Sequence, residues 1–407
     1  MKKPFKLFDI HKNKPLFALV FFLFQGDFLC YAQNILSGVV KDKQNAPIPY
    51  ANIWIKSSLN AVVANENGKF EVITNPSVPN DTLFASHLGF KKSYLILPQK
   101  NPCEIILENN YIQLSEISII ALNEADLIRK IKAKIPQNYP IVGSINSVYF
   151  NYEVKNDNLF LSYFDGNLNL NADSYLKTGS LQAKLLNFSI NLNNFDKISD
   201  FSYISPKTIA SYAFPLNLPF LQHETDYKYH VAEFSSEGAS FYKIDFEPKN
   251  VLKKWQYSGD FTVNIKDYAI VEAKFSLVEN IKNKNTAVSV GFSTSKTITT
   301  SSLEEFFVSY KPKNNRYYNS FLKYNSAVSF YDSKLNGNRN ITIKSVLMTN
   351  AFNDKPTEED KKAGKPFNLY GLKTQNGDKK QSKNRYLGTD WEEKIKMIKE
   401  ANPELNE

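Results

Sequence analysis

Cysteine is nearly absent from this 407-residue chain, which has two, and histidine is almost as scarce, with four. One of the cysteines, Cys30, lies in the N-terminal segment read below as cleaved, so the remainder keeps Cys103 alone. That excludes an internal disulfide and a cysteine-based metal centre. Glycine is low at 15 residues, which argues against collagen-like or low-complexity sequence. Long apolar runs are missing too: after Leu16–Phe24 nothing approaches the 18 or so residues that a membrane-spanning helix needs. What the chain has in quantity is aromatic side chains, 14% overall with 30 Phe and 23 Tyr, in an otherwise average globular composition. Its length allows two or three domains.

The formal charge of +9 overstates the basic character. Residues 1–32 hold five Lys against two Asp, and without them the net charge is +6 over a long chain, too little to imply a nucleic-acid partner. Lys2, Lys3, Lys6, Lys12 and Lys14 precede the apolar run Leu16–Phe24, and Cys30-Tyr31-Ala32 places small residues where a signal peptidase reads. Residues 1–32 are therefore expected to be a secretory signal cleaved after Ala32. Gln25, Gly26 and Asp27 interrupt the run, which disfavours a permanent anchor. Asp27 and Leu29 stand where a lipid-attachment motif at Cys30 would want Leu and a small residue.

Chemistry-bearing motifs are also missing. After residue 32 only His87, His223 and His230 remain. His223-Glu224 followed by His230 has the wrong spacing for a His-Glu-x-x-His helix, where both rings must leave one face. The stretch Tyr227–Ala232 alternates like a strand instead, with His230 beside Lys228 on the less apolar face. No Gly-x-Ser-x-Gly elbow exists: Gly143-Ser144 and Gly179-Ser180 lack its flanking glycines, and Ser236 has no glycine before it. There is no glycine-rich phosphate loop. Carboxylates are plentiful, but nothing in the sequence brings two particular ones together.

From Ile35 to Leu107 short apolar runs (37–41, 51–56, 70–73, 82–87 and 94–97) alternate with turn clusters, as in a small β-sandwich. Ala46-Pro47-Ile48-Pro49 must be loop or edge, since proline cannot donate to a ladder, and Asn65-Glu66-Asn67-Gly68 offers a hairpin corner ahead of Phe70. Four segments, Ser37–Asp42, Ala46–Ile53, Asn65–Phe70 and Ser86–Phe90, resemble in order the carboxypeptidase-like regulatory domain. The resemblance implies a seven-stranded, transthyretin-like sandwich at 33–108, an appendage of envelope proteins with no catalytic function of its own. Leu114-Ser115-Glu116-Ile117 resembles the segment that follows this module in TonB-dependent outer-membrane receptors. Too few residues follow for their plug and barrel.

After a linker strand at 109–122, residues 123–350 form the second domain. Asn123 is expected to cap a helix with Asp126 in its first turn and Leu127, Ile128, Ile131 and Ile135 as its apolar stripe, ended by Pro136. Lys130, Lys132 and Lys134 are read as its wet side. Period-two patterning then predicts a sequential antiparallel meander: Val148, Phe150, Tyr152 and Val154 on one face, a turn at 155–158, a return at 159–170, and further strands near 241–247, 257–266, 269–279, 287–294, 306–311, 319–330 and 340–348. The hairpin Ser258–Ala273 resembles the strand pair of half-barrel folds that carry lipoproteins across the periplasm. Pro206–Phe214 predicts a short helix. The proline-broken apolar loop Phe214–Leu221 is either a plug for the open sheet or a lid over an apolar ligand. The tail, 351–407, is charge-mixed and expected to be largely mobile, with Trp391, Ile395, Met397 and Ile398 docking a last helix.

The fold class expected is mainly β: a seven-stranded sandwich plus a larger antiparallel meander or half-barrel with a few helices. No catalytic, cofactor-binding or metal-binding residue is expected. The functional expectation is a non-enzymatic exported protein of the periplasm or outer-membrane periphery, binding an envelope protein or an apolar ligand. Two alternatives carry distinct signatures. A periplasmic carrier of an apolar ligand or lipid would show a cavity along the aromatic face of the meander, whereas a hydrolase would show a polar cleft with converged carboxylates and a strongly perturbed pKa.

Overall fold

The computed structural model describes residues 34–57, 61–75, 77–97, 100–110, 112–113, 123–175, 181–193, 206–236, 238–250, 256–278, 298–332, 337–367, 375–376 and 396–400. Residues 1–32, expected to be a cleaved signal, the Leu114–Ile117 motif, Gly179-Ser180, the strand expected at 287–294 and Trp391 with Ile395 lie outside these residues.

Seven short strands build the N-terminal unit: β1 (Asn34–Lys41), β2 (Asn52–Ile55), β3 (Ala61–Val63), β4 (Lys69–Thr74), β5 (Thr82–Ser86), β6 (Ser93–Ile96) and β7 (Cys103–Ile106). They form two sheets, β4-β1-β7 and β3-β2-β5-β6. Alternation does the sorting. Ile53, Ile55, Leu83 and Ala85 face inward from one sheet onto Val40, Phe70, Val72 and Ile105 of the other, and all are buried. The hairpin corner before Phe70 is as expected: Gly68 sits at φ +70°, with its amide donating to the Asn65 carbonyl at 3.0 Å. The Asn65 side chain accepts from the Asn67 and Lys69 amides. Cys103 is buried and, among the described residues, forms no disulfide.

The second unit is one sheet of thirteen described strands. Its elements are β8 (Ile112–Gln113), α1 (Glu124–Asn138), β9 (Ser144–Asn156), β10 (Leu159–Ala172), β11 (Gln182–Asn193), α2 (Pro206–Ser211), α3 (Pro219–Gln222), β12 (Tyr227–Ser236), β13 (Ala239–Pro248), β14 (Tyr257–Asn264), β15 (Ile270–Leu277), β16 (Ile298–Lys313), β17 (Arg316–Asp332), β18 (Gly337–Asn353), α4 (Glu358–Lys362), β19 (Lys365–Pro366) and β20 (Gln375–Asn376). The sheet order is β19-β11-β10-β9-β18-β17-β16-β15-β14-β13-β12-β8, with β20 also on β11. This corrects the single sequential meander. The chain runs β9 to β11 toward one edge, reappears near the far edge as β12, beside β8, and marches back until β18 pairs with β9. Among the described residues the sheet does not close into a barrel.

Helix α1 starts as predicted, Asn123 accepting from the Ala125 amide at 3.2 Å, but it does not stop at Pro136. Proline's fixed φ is helical, and although it loses its N–H and crowds the turn before it, the helix continues to Asn138 and closes with the Tyr139 amide on the Ile135 carbonyl at 3.0 Å. Its buried stripe, Leu127, Ile128, Ile131 and Ile135, lies against the inner face of the sheet. On the other side Lys130 reaches the Tyr268 hydroxyl at 2.8 Å and Lys132 the Glu224 carboxylate at 2.7 Å. The helical stretch 206–226 fills the rest of the concavity. Phe220 is fully buried, with ring centroids 4.3 Å from Phe246 and 4.5 Å from Phe261. The apolar loop is therefore a plug, built from the chain's own side chains.

The outer face is less wet than alternation implies. Tyr149, Asn151 and Glu153, expected to face water, are buried along with Val148, Phe150 and Tyr152. Two covers explain this. Ile398 packs with Phe160, Tyr163, Ile190 and Leu192, although Met397, expected to dock beside it, is exposed. The described part of the tail carries regular structure: a Thr357–Asp360 capping box starts α4, and β19 pairs with β11. The second cover is the sandwich.

Candidate functional site

The sandwich meets the outer face of the large sheet through one apolar seam and one charged contact. Val63 and Tyr50 pack on Tyr149, Phe307, Phe321, Val346 and Met348. The Tyr50 ring stacks on Phe307 at 4.8 Å between centroids. Tyr50 holds φ +61°, a region costing a non-glycine residue on the order of 1 kcal/mol or more, and its ring is the one that crosses between the two units. Beside the seam Lys323 donates to Glu66 and to the Tyr50 hydroxyl, each at 2.7 Å.

Next to this contact the two units stand apart and leave a cleft with two lobes. The wider, about 600 Å³, is lined by Asp42, Glu66 and Phe90 of the sandwich and by Asp260, Lys274 and Glu305 of the sheet. The narrower, about 370 Å³, is lined by Asn52 and Ser86 on one side and by Phe241, Ser309 and Lys311 on the other. Tyr50, His87, Glu272 and Phe307 line both.

Strand register puts the charges there. Asp260 opposes Lys274 across β14 and β15, Thr262 opposes Glu272, and Glu272 opposes Ser309 across β15 and β16. Residues two apart share a face, so Asp260, Glu272, Lys274 and Lys311 all point outward beneath the sandwich. Burial first, and then the charge of Asp260, pushes Glu272 up to about 7. Asp260 is raised too, chiefly by burial. Burial alone brings Lys311 down to about 8. Lys243 and Lys274 oppose both of these carboxyl shifts in part, but among the described residues none of the side chains of Asp260, Glu272, Lys274 and Lys311 forms a hydrogen bond or ion pair.

The three histidines are not gathered. His87 sits just after β5 at the cleft, its Nδ1 2.8 Å from the Leu88 carbonyl and so the donor, and burial holds its pKa below the ordinary value. That leaves Nε2 as the acceptor. His223 follows α3 and His230 lies on β12, both exposed, His230 beside exposed Lys228 as the alternation predicts. Among the described residues no three His, Cys, Asp or Glu are grouped for a metal ion. The carboxylates Asp260 and Glu272 do converge, which the sequence did not indicate. The signal existed in the period-two alternation of both strands, but it needs their register to be read.

Among solved structures, a DUF1329 family protein from Desulfovibrio piger is 9% identical, with a TM-score of 0.23 over 54% of this chain and 90% of that one. MucB in complex with periplasmic MucA is 8% identical, with a TM-score of 0.19 over 60% and 97%. A membrane-associated protein of unknown function from Bacteroides fragilis is 9% identical, with a TM-score of 0.15 over 79% and 98%. Likeness at this level carries no functional argument. No curated protein matches the chain. The N-terminal unit does match a family model: residues 36–119 are recognised as a CarboxypepD_reg-like domain, in agreement with the resemblance carried by its four sequence segments.

Proposed function

We propose that this chain is a non-enzymatic exported protein of the bacterial cell envelope, located in the periplasm or at the outer-membrane periphery, whose two β units form one binding body. The observation that carries the reading is the cleft itself. Two separately cored units are joined by a stacked, hydrogen-bonded seam, and the space beside the seam is lined from both sides. The basic N-terminus with its short apolar run supports export. The carrier alternative gains less support, because the aromatic face it would use is occupied by Phe220 and its neighbours. The hydrolase alternative has one observation in its favour, the converged pair Asp260 and Glu272 in a polar cleft.

The test uses the full chain expressed with its own N-terminus in a Gram-negative host. The expected result is a mature chain beginning at Gln33, found in the periplasm or in the salt-extractable outer-membrane fraction. A photoreactive side chain at Phe90, in the cleft, should give a covalent adduct, and one at exposed Met397 should not. An intact Met1 on the localised chain, or no adduct at Phe90, overturns the reading. Turnover of generic peptide, ester or glycoside substrates that disappears in Glu272→Gln would establish the hydrolase instead.

A further inference from the structure

We propose that the narrower lobe of the cleft binds a small zwitterion, with the Glu272 carboxylate receiving its ammonium group and the Lys311 ammonium receiving its anionic group. This rests on the reading of the cleft as a binding site and names the chemistry that site takes. Glu272 lies opposite Ser309, and Lys311 is two residues beyond Ser309 on the same face of β16. Diagonal neighbours of this kind are separated by roughly 7–8 Å in an antiparallel sheet. Both side chains line the same 370 Å³ lobe, and both are only partly exposed. Among the described residues neither side chain has a hydrogen-bond or ion-pair partner.

Two opposite charges that share a partly buried space and do not meet are each costly to the folded chain. The chain offsets other charges nearby: Lys323 is bonded to Glu66, and Asp260 stands directly opposite Lys274. Glu272 feels the charges of Lys243 and Lys274, which offset its burial only in part, and Lys311 has no such relief; within the narrower lobe neither side chain meets an opposite charge. A purely cationic ligand would be opposed by Lys311 and a purely anionic one by Glu272, so only a ligand carrying both signs satisfies both. Between them the Ser309 and Ser320 hydroxyls, 3.0 Å apart, offer polar contacts, and Phe241 and Phe307 form apolar walls. The burial that displaces the pKa of both side chains toward their neutral forms agrees with this, because a bound zwitterion would restore both charges.

Two sources share this chemistry: a short peptide or amino acid with free termini, and a phosphoethanolamine headgroup. The experiment titrates the mature chain calorimetrically with dialanine and with glycerophosphoethanolamine. Controls are N-acetyl-dialanine, dialanine amide and glycerophosphate. The expected result is binding of at least one zwitterion with a Kd below about 1 mM, weakened about tenfold or more when either end is blocked. Glu272→Gln and Lys311→Met should each weaken it to a similar degree while the unfolding midpoint stays the same or rises, and Lys311→Arg should retain binding. The zwitterion that binds identifies the source. Absence of binding by both up to roughly 10 mM overturns the proposal, as does equal binding of the blocked compounds or indifference to both substitutions. If the zwitterions fail while the Phe90 adduct persists, the ligand class is wrong and the cleft reading survives. If both fail, both fall.

Discussion

Lys323, on β17 of the large sheet, donates at 2.7 Å to Glu66, in the hairpin corner of the sandwich. The lysine side chain is 11% exposed and the glutamate 51%. Burial works against the lysine's charge, yet the bonds to Glu66 and to the Tyr50 hydroxyl more than offset it, and its pKa stands above the usual 10.5. The two ends of this bond are therefore not equivalent.

Removing the glutamate strands a buried cation, whereas removing the lysine leaves a carboxylate that water can reach. Glu66→Gln is expected to destabilise the docked state more than Lys323→Met, which should cost about 1–2 kcal/mol. A lysine whose folded pKa is raised contributes stability that is complete below about 10.5 and is lost as the pH rises through the folded value. The protection of the Tyr50 loop against hydrogen exchange, taken relative to the intrinsic base-catalysed rate, should therefore fall above that pH in the parent and stay constant in Lys323→Met.

Gly68 holds φ +70°, and a Cβ placed there would lie 2.4 Å from the Val40 carbonyl oxygen. Gly68→Val should destabilise the sandwich by about 2 kcal/mol or more, since both the conformation and the space are denied to it. His223→Ala and His230→Ala, at exposed positions, should stay within about 0.5 kcal/mol. Chemical denaturation of the three variants checks the contrast, and equal effects would refute the placement of that turn.

Phe220 links the plug to the sheet through Phe246, Phe261 and Phe275. Phe220→Ala should cost about 3–5 kcal/mol, and a loss below about 1 kcal/mol would mean that the plug is not part of the core. Because the resulting void is apolar, a small hydrocarbon such as benzene should restore part of the loss in a thermal melt.

Glu272 and Lys311 should impose opposite pH dependences. Glu272, pushed from 4.5 up to about 7 by burial and then by Asp260, contributes stability present below about 4.5 and lost as the pH rises through about 7. Lys311, brought from 10.5 down to about 8 by burial, contributes stability present above about 10.5 and lost as the pH falls through about 8. Near pH 7.5 both are a burden. Glu272→Gln and Lys311→Met are each expected to raise the unfolding free energy there by on the order of 1 kcal/mol, with Glu272→Gln converging on the parent near pH 4.5. Thermal melts across pH 4–11 would show this, and a lower midpoint for both at pH 7.5 would show that the two charges stabilise the fold.

Local rules, acting over a few residues, are what the sequence determined by itself. Alternation of Ile53 and Ile55, the Asn65–Gly68 corner, the Asn123 cap and the apolar stripe of α1 each depend on neighbours within one or two turns or one strand, and each stands as read. The period-two pattern likewise specified a mainly β chain. Tertiary structure decided what depends on partners far along the chain. The pairing of β18 with β9 joins residues about two hundred positions apart, and no local pattern encodes that β12 pairs with β8 and β13 at the far end of the sheet. Tyr149 and Glu153 read as solvent-facing because alternation reports only that two faces differ, not that a second unit will cover the outer one. The cleft follows the same logic: Asp260, Glu272 and Lys311 are ordinary strand residues in sequence, and they converge because three strands pair in one register beneath a sandwich held by Tyr50 and Lys323.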